Sequence, residues 1–170
     1  MVGSNKIKHK LSARSSGGEK PDNTYRDLIK QAIINVLQFE KVDIPCAVNV
    51  LLTDDKGIRK YNKDFRGHDR ATDVLSFPMQ LFKKSGWNGC DDFEIDEDTG
   101  VLPLGDIIIS TERIRKQAGE YKRTYEYETS LMIVHSVLHL LGYAHSEKSD
   151  EQLMHLREKK IMNEMGYLES

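Results

Sequence analysis

A single domain that mixes helices with strands is the fold class this sequence predicts, on three observations. The chain has 170 residues, the size of one ordinary domain. Two long segments, 25–37 and 125–141, carry apolar residues at three- and four-residue intervals, which gives each one apolar helical face. Three short runs, 46–52, 74–77 and 105–109, are instead nearly continuous in β-branched and apolar residues, as buried strands are. A chain this long buries about 70% of its unfolded surface, so it needs neither disulfide nor metal merely to fold.

Residues 1–20 are basic and rich in Ser and Gly, and are expected to fray; KIKHKL at 6–11 alternates like an edge strand. The domain proper is expected over 21–170. Asp22, Asn23 or Thr24 can cap a first helix whose apolar face is Tyr25, Leu28, Ile29, Ala32, Ile33, Val36 and Leu37, and Pro45 closes that region. CAVNVLL at 46–52 reads as a strand. Thr53 or Asp54 can open a short helix with Ile58 and Tyr61 that ends near Gly67. A second strand fits Val74–Phe77 and stops at Pro78. Residues 80–103, with Gly86, Gly89, Gly100 and six carboxylates between Asp91 and Asp98, read as a solvated acidic loop or hairpin insertion. The cluster lacks the ligand order of an EF-hand. Gly105–Ile109 is a third strand, and Ser110 or Thr111 opens a short helix towards Gly119. The long helix 125–141 stops at Gly142. Ser149 opens a last helix through Leu153, Leu156, Ile161 and Met165, closed by Gly166.

Composition excludes several functional classes. Hydrophobic residues make up 38% and charged residues 31%, with mean hydropathy −0.56 and no run of about 18 apolar residues, which argues against a membrane protein. Residues 1–20 have no apolar core and are not expected to act as a secretory signal. A net charge of −2 speaks against a generic polyanion binder. Cys46 and Cys90 are far apart in sequence and form no CxxC pair, which excludes a cysteine-built zinc site and points to a reducing, cytoplasmic setting.

The chemistry concentrates in HSVLHLLGYAH, residues 135–145. His135 and His139 are four apart, so they share one face of the predicted helix. Gly142 lets the chain turn, and His145 can swing back towards the other two. Three neutral imidazoles make a tetrahedral site with one open position, suited to Zn²⁺, Cu²⁺ or Ni²⁺; availability favours one Zn²⁺ per chain. Histidines at this spacing can also be satisfied core residues, but three of six histidines fall within eleven residues of an otherwise apolar helix. HxxxHxxGxxH is also the spacing of the metzincin proteases, in which a Glu after the first His is the general base. Ser136 stands there, and a serine takes no proton at neutral pH.

Three blocks carry a resemblance. FRGHDRATDVLSFP at 65–78 resembles (F/Y)RxxDxPTDVLSFP, Gly105-Asp106-Ile107 resembles a GDI strand, and HSVLHLLGYAH resembles HGxLHLxGYDH, all of the YbeY endoribonucleases and in that family's order. The similarity spans roughly residues 25–165. The departures are Ser136 for Gly, Ala71 for Pro, Ala144 for Asp and the long acidic insertion. The resemblance implies an α+β, zincin-like single domain with a mixed sheet of about four or five strands packed with helices. It implies single-strand-specific cleavage of RNA, with ribosomal RNA precursors and ribosomal subunits as partners, in rRNA maturation and ribosome quality control, in the cytoplasm.

Zinc on His135, His139 and His145 would activate water and polarise a phosphoryl oxygen. Arg66, matching the family's important Arg, can hold two phosphate oxygens at once; Arg66 and His135 are the candidate catalytic residues. The bland reading of Arg66 is an ion pair with Asp64 or Asp69. Lys56, Arg59, Lys60, Lys63, His68 and Arg70 form a basic stretch that can contact phosphates or be a solvated helix face. Asp73 or Asp106 can orient a zinc-bound histidine through its second nitrogen, while Thr72 and Ser76 read as architectural. Phe65, Tyr125 and Tyr143 can stack on bases or pack in the core. Met154 reads as packing. Two alternatives stay open: a zincin-like metallopeptidase, and a non-catalytic, zinc-braced ribosome-associated binding module.

Overall fold

The computed structural model describes residues 6–168. The order of elements is β1 (Lys10–Ser15), α1 (Asn23–Phe39), β2 (Cys46–Thr53), α2 (Asp55–Arg66), β3 (Val74–Pro78), β4 (Leu102–Ser110), α3 (Thr111–Glu120), α4 (Tyr125–Leu140) and α5 (Lys148–Glu164). The four strands form one mixed sheet in the order β1-β2-β4-β3: β1, β2 and β4 run parallel, and β3 closes the far edge antiparallel. This is the α+β domain the sequence predicts.

Side chains impose the helix starts. Asp22, Asp54, Ser110 and Thr124 each accept a hydrogen bond from the backbone N–H three residues on, satisfying one of the orphan donors of α1, α2, α3 and α4. On β2 the alternate residues Val48, Val50 and Leu52 are buried, and Ile107 and Ile109 do the same on β4. They meet Ile29, Ile33, Val36 and Leu37 of α1 and Val134, Val137 and Leu138 of α4 in the main core. A smaller cluster of Ile58, Leu75 and Ile108 seats α2 on the opposite face of the sheet.

Four expectations need correction. The edge strand occupies Lys10–Ser15 and not 6–11, so part of the N-terminal segment expected to fray is a sheet strand. It is drawn in by six residues of parallel pairing with β2, which local alternation does not register. The third strand begins at Leu102, ahead of the Gly105 start. Between them the 80–103 insertion is not a hairpin, and its first half is only partly solvated: Gln80 and Trp87 are buried, and Trp87 Nε1 donates to Asp43 at 2.8 Å while its ring stacks on Phe93. Finally, α5 buries Met154, Glu158, Ile161 and Met162, leaving Leu153 and Leu156 exposed.

Gly105 explains the GDI strand. Beta-sheet register slips between Ala47 and Val48 opposite it, and at φ 150° a Cβ there would lie 2.3 Å from the Phe77 carbonyl oxygen and 2.8 Å from Leu140. Only glycine lets β3, β4 and the end of α4 approach this closely. That approach brings the last turn of α4 beside the edge strand.

Candidate metal centre

His135 and His139 lie one turn apart on α4, with rings half-buried. After Leu141 the chain reverses at Gly142 (φ 88°), where a Cβ would come within 2.4 Å of Phe82. The Tyr143 N–H donates back to the Leu138 carbonyl at 3.1 Å. This turn delivers His145, exposed, to the same point. The Nε2 atoms of His139 and His145 lie 3.0 and 3.4 Å from His135 Nε2, and all three ligand atoms lie within 4.8 Å of one another.

The other nitrogens decide what those Nε2 atoms carry. His139 Nδ1 donates to the Tyr143 carbonyl at 2.8 Å, and a carbonyl can only accept, so the proton of the neutral ring is on Nδ1. His135 Nδ1 faces the Glu158 carboxylate at 2.5 Å, which holds a proton there in the same way. Bare lone pairs then confront each other at about 3 Å, an arrangement that a cation between them relieves. Metal–nitrogen bonds of about 2.0–2.1 Å in a tetrahedral array put the nitrogens roughly 3.3 Å apart, close to the observed 3.0 and 3.4 Å. Burial, and secondarily the neighbouring His135, pushes the His139 pKa down to about 4, which keeps the ring neutral as a ligand must be. The trio fits a metal ion.

The remaining candidates fall as follows. Arg66 ends α2 and pairs with neither Asp64 nor Asp69; its Nη2 donates to the Ser76 carbonyl at 3.1 Å, and its guanidinium lies 5.8 Å from the Phe77 ring centre. Among the described residues, no hydrogen bond, ion pair or ring contact joins it to the three imidazoles; it borders β3, which packs against α4. Asp69 is taken by Arg59 and Lys63, which removes two cations from the basic stretch. Neither Asp73 nor Asp106 supports a histidine: Asp73 accepts from the Val74 N–H and from Gln117, and Asp106 from Asn49. Of the three aromatic candidates, Phe65 is 67% exposed, whereas Tyr143 is buried and Tyr125 stacks on Tyr25 at the other end of α4. Met154 is in the core, within a helix.

Glu158 is the residue that sequence reading missed. It is 8% exposed among Met154, Ile161 and Met162, on the face of α5 that packs inward, and no local pattern in the sequence marks that burial. Ser136, beside His135, is fully buried and its hydroxyl has no hydrogen-bond partner.

An α+β domain that gathers three imidazoles, two of them oriented through their second nitrogens, around a point with one exposed side defines a class: hydrolases built around a single histidine-bound metal. The family model described as Endoribonuclease YbeY matches residues 11–166. By that match the chain belongs to the YbeY endoribonuclease family. Among its relatives, "Endoribonuclease YbeY" of Clostridium botulinum (strain Loch Maree) is 40% identical over 152 residues, covering 84% of this chain and 89% of the relative. The protein of the same name from Caldanaerobacter subterraneus is 40% identical over 139 residues, covering 82% and 86%. The solution structure of TM1509 from Thermotoga maritima superposes with a TM-score of 0.53 at 26% identity, covering 91% of both chains.

Proposed function

We propose that this chain is a zinc-dependent endoribonuclease that cuts single-stranded RNA. Its substrates would be ribosomal RNA precursors on ribosomal subunits, in rRNA maturation and ribosome quality control. The observation that carries the reading is the convergence of three imidazole Nε2 atoms in a chain of this family. His135, His139 and His145 hold one Zn²⁺ per chain, which when bound supplies Lewis acidity and an acidified water. Glu158 and the Tyr143 carbonyl keep the His135 and His139 protons on Nδ1 and so keep the ligand atoms bare. Arg66 is the second catalytic residue. Its guanidinium has five N–H donors and spends one on Ser76, leaving the others for phosphoryl oxygens as negative charge builds there. The setting is the cytoplasm, which suits two buried free thiols; among the described residues no helix is long and apolar enough to cross a membrane.

The edge strand counts against the peptidase alternative. Asp73 and Met79 pair with Ser110 and Leu104. In antiparallel alternation this turns the backbone groups of Val74, Ser76 and Pro78 to the free edge. There the Val74 N–H is held by the Asp73 side chain, the Ser76 carbonyl by Arg66, and Pro78 has no N–H. An extended peptide binding by strand addition needs those groups. Incubation of the protein with a single-stranded oligoribonucleotide and with a peptide library, each with and without chelator, tests the reading. Chelator-sensitive cleavage of the RNA alone is expected; cleavage of peptide, or of neither, contradicts it. Arg66→Ala separates nuclease from binding module: it removes cleavage while part of the RNA affinity stays.

A further inference from the structure

Among the described residues, two buried carboxylates stand outside the proposed function: Glu128, which pairs with Arg123, and Glu40. Glu40 follows the last residue of α1, far in sequence from the histidines, yet its side chain is only 5% exposed. Both of its oxygens accept from the Tyr143 hydroxyl, at 3.1 and 2.9 Å. Arg157 of α5 stands 3.7 Å away, its guanidinium over the Phe39 ring. A buried carboxylate is a poor way to gain stability, since an apolar side chain of similar size does as well or better. What this one does is hold the ring of Tyr143, and the backbone of that same residue holds His139.

We propose that Glu40 is a positioning residue for the metal centre, acting through Tyr143 on the 141–145 turn. The inference rests on the metal-binding reading of the three histidines. Tyr143 is clamped at two points: its hydroxyl on Glu40 and its N–H on Leu138. With both clamps closed its carbonyl is aimed at His139 Nδ1, which fixes the proton there and points the Nε2 lone pair at the trio. The first half of the insertion closes the seat: the Gly86 N–H donates to the Leu141 carbonyl at 3.0 Å, and Phe82 packs on Gly142. Release of the ring frees the Tyr143 peptide to rotate, so His139 loses its acceptor and His145, two residues on, loses its aim.

The test uses the full chain and its affinity for Zn²⁺ and Co²⁺, measured by competition with a chromophoric chelator, together with ¹⁵N NMR of the His139 tautomer in the metal-free protein. Glu40→Leu and Tyr143→Phe are each expected to weaken metal affinity by about tenfold, the lower end for residues behind a ligand. The double variant is expected to fall no further than the singles, because the two act in one chain of contacts. Glu40→Gln, which keeps an acceptor for the hydroxyl, is expected to retain most of the affinity. Ile58→Val, in the separate cluster under α2, lowers stability without touching the seat and is expected to keep wild-type affinity. Singles within twofold of wild type, an unchanged His139 tautomer, or an equal loss in Ile58→Val would overturn the inference while leaving the metal site standing. A wild-type chain that takes up neither metal overturns both.

Discussion

Removal of the Glu158 carboxylate should weaken the metal centre without dismantling the fold. In Glu158→Ala the His135 Nδ1–H loses the acceptor it faces at 2.5 Å, and the half-buried ring is free to turn or to shift its proton to Nε2, the atom needed as ligand. Residues that support a metal-bound histidine in this way are typically worth 10–100-fold in affinity, or about 1.4–2.7 kcal/mol. Stability should fall by about 1–3 kcal/mol, the cost of a buried donor left without its partner. Glu158→Gln keeps an acceptor oxygen of the same reach but gives up the charge, so it should lie between wild type and Ala. Competition with a chromophoric chelator gives the affinity and urea unfolding gives the stability. If Glu158→Ala binds zinc within twofold of wild type, the orienting role is refuted, however the stability changes. If Gln falls as far as Ala, charge and not orientation is what Glu158 supplies.

Three further outcomes are expected. Arg66→Ala should cut RNA cleavage by roughly 10²–10³-fold, as loss of a transition-state donor does, with a stability change under about 1 kcal/mol because its one hydrogen bond is on the surface; single-turnover assays on a labelled single strand measure it. Excision of 95–98 should leave the melting temperature nearly unchanged, since these residues are exposed and Phe93, which stacks on Trp87, is kept, whereas Trp87→Ala should cost about 3–5 kcal/mol through its buried ring and its bond to Asp43. The metal-free protein should lose stability as pH falls through the window from the ordinary histidine value of about 6.5 down to about 4. The sign follows from the depressed His139 pKa: in that window the unfolded chain binds a proton that the folded chain refuses. Thermal melts from pH 7 to pH 4 on wild type and His139→Gln check it, with a shallower decline expected for the variant.

The legible parts of this molecule are those whose signals are local. Helix starts at Asp22, Asp54 and Ser110 were readable because a capping side chain sits within three residues of the donor it serves. The trio was readable because one helical turn and one glycine suffice to bring His135, His139 and His145 together. What was illegible depends on partners remote in sequence. Lys10–Ser15 is a strand because β2 is there to pair with it. Trp87 is buried because Asp43 and Phe93 receive it. The inner face of α5 was only half-read: Ile161 lies inside as expected, but Leu153 and Leu156 are exposed while the packing turns Met154 inward and Glu158 with it. Asp73 and Asp106 were plausible supports on chemistry alone; their geometry commits them to Gln117 and Asn49.

The central claim is that three imidazoles bind one catalytic metal, and elemental analysis of the purified chain tests it most directly. One zinc per chain is expected for wild type and less than about a tenth of that for His139→Ala, with RNA cleavage lost and restored in step with zinc removal and readdition. Zinc retained at full occupancy when His139 is gone, or cleavage undiminished in metal-free protein, would contradict it.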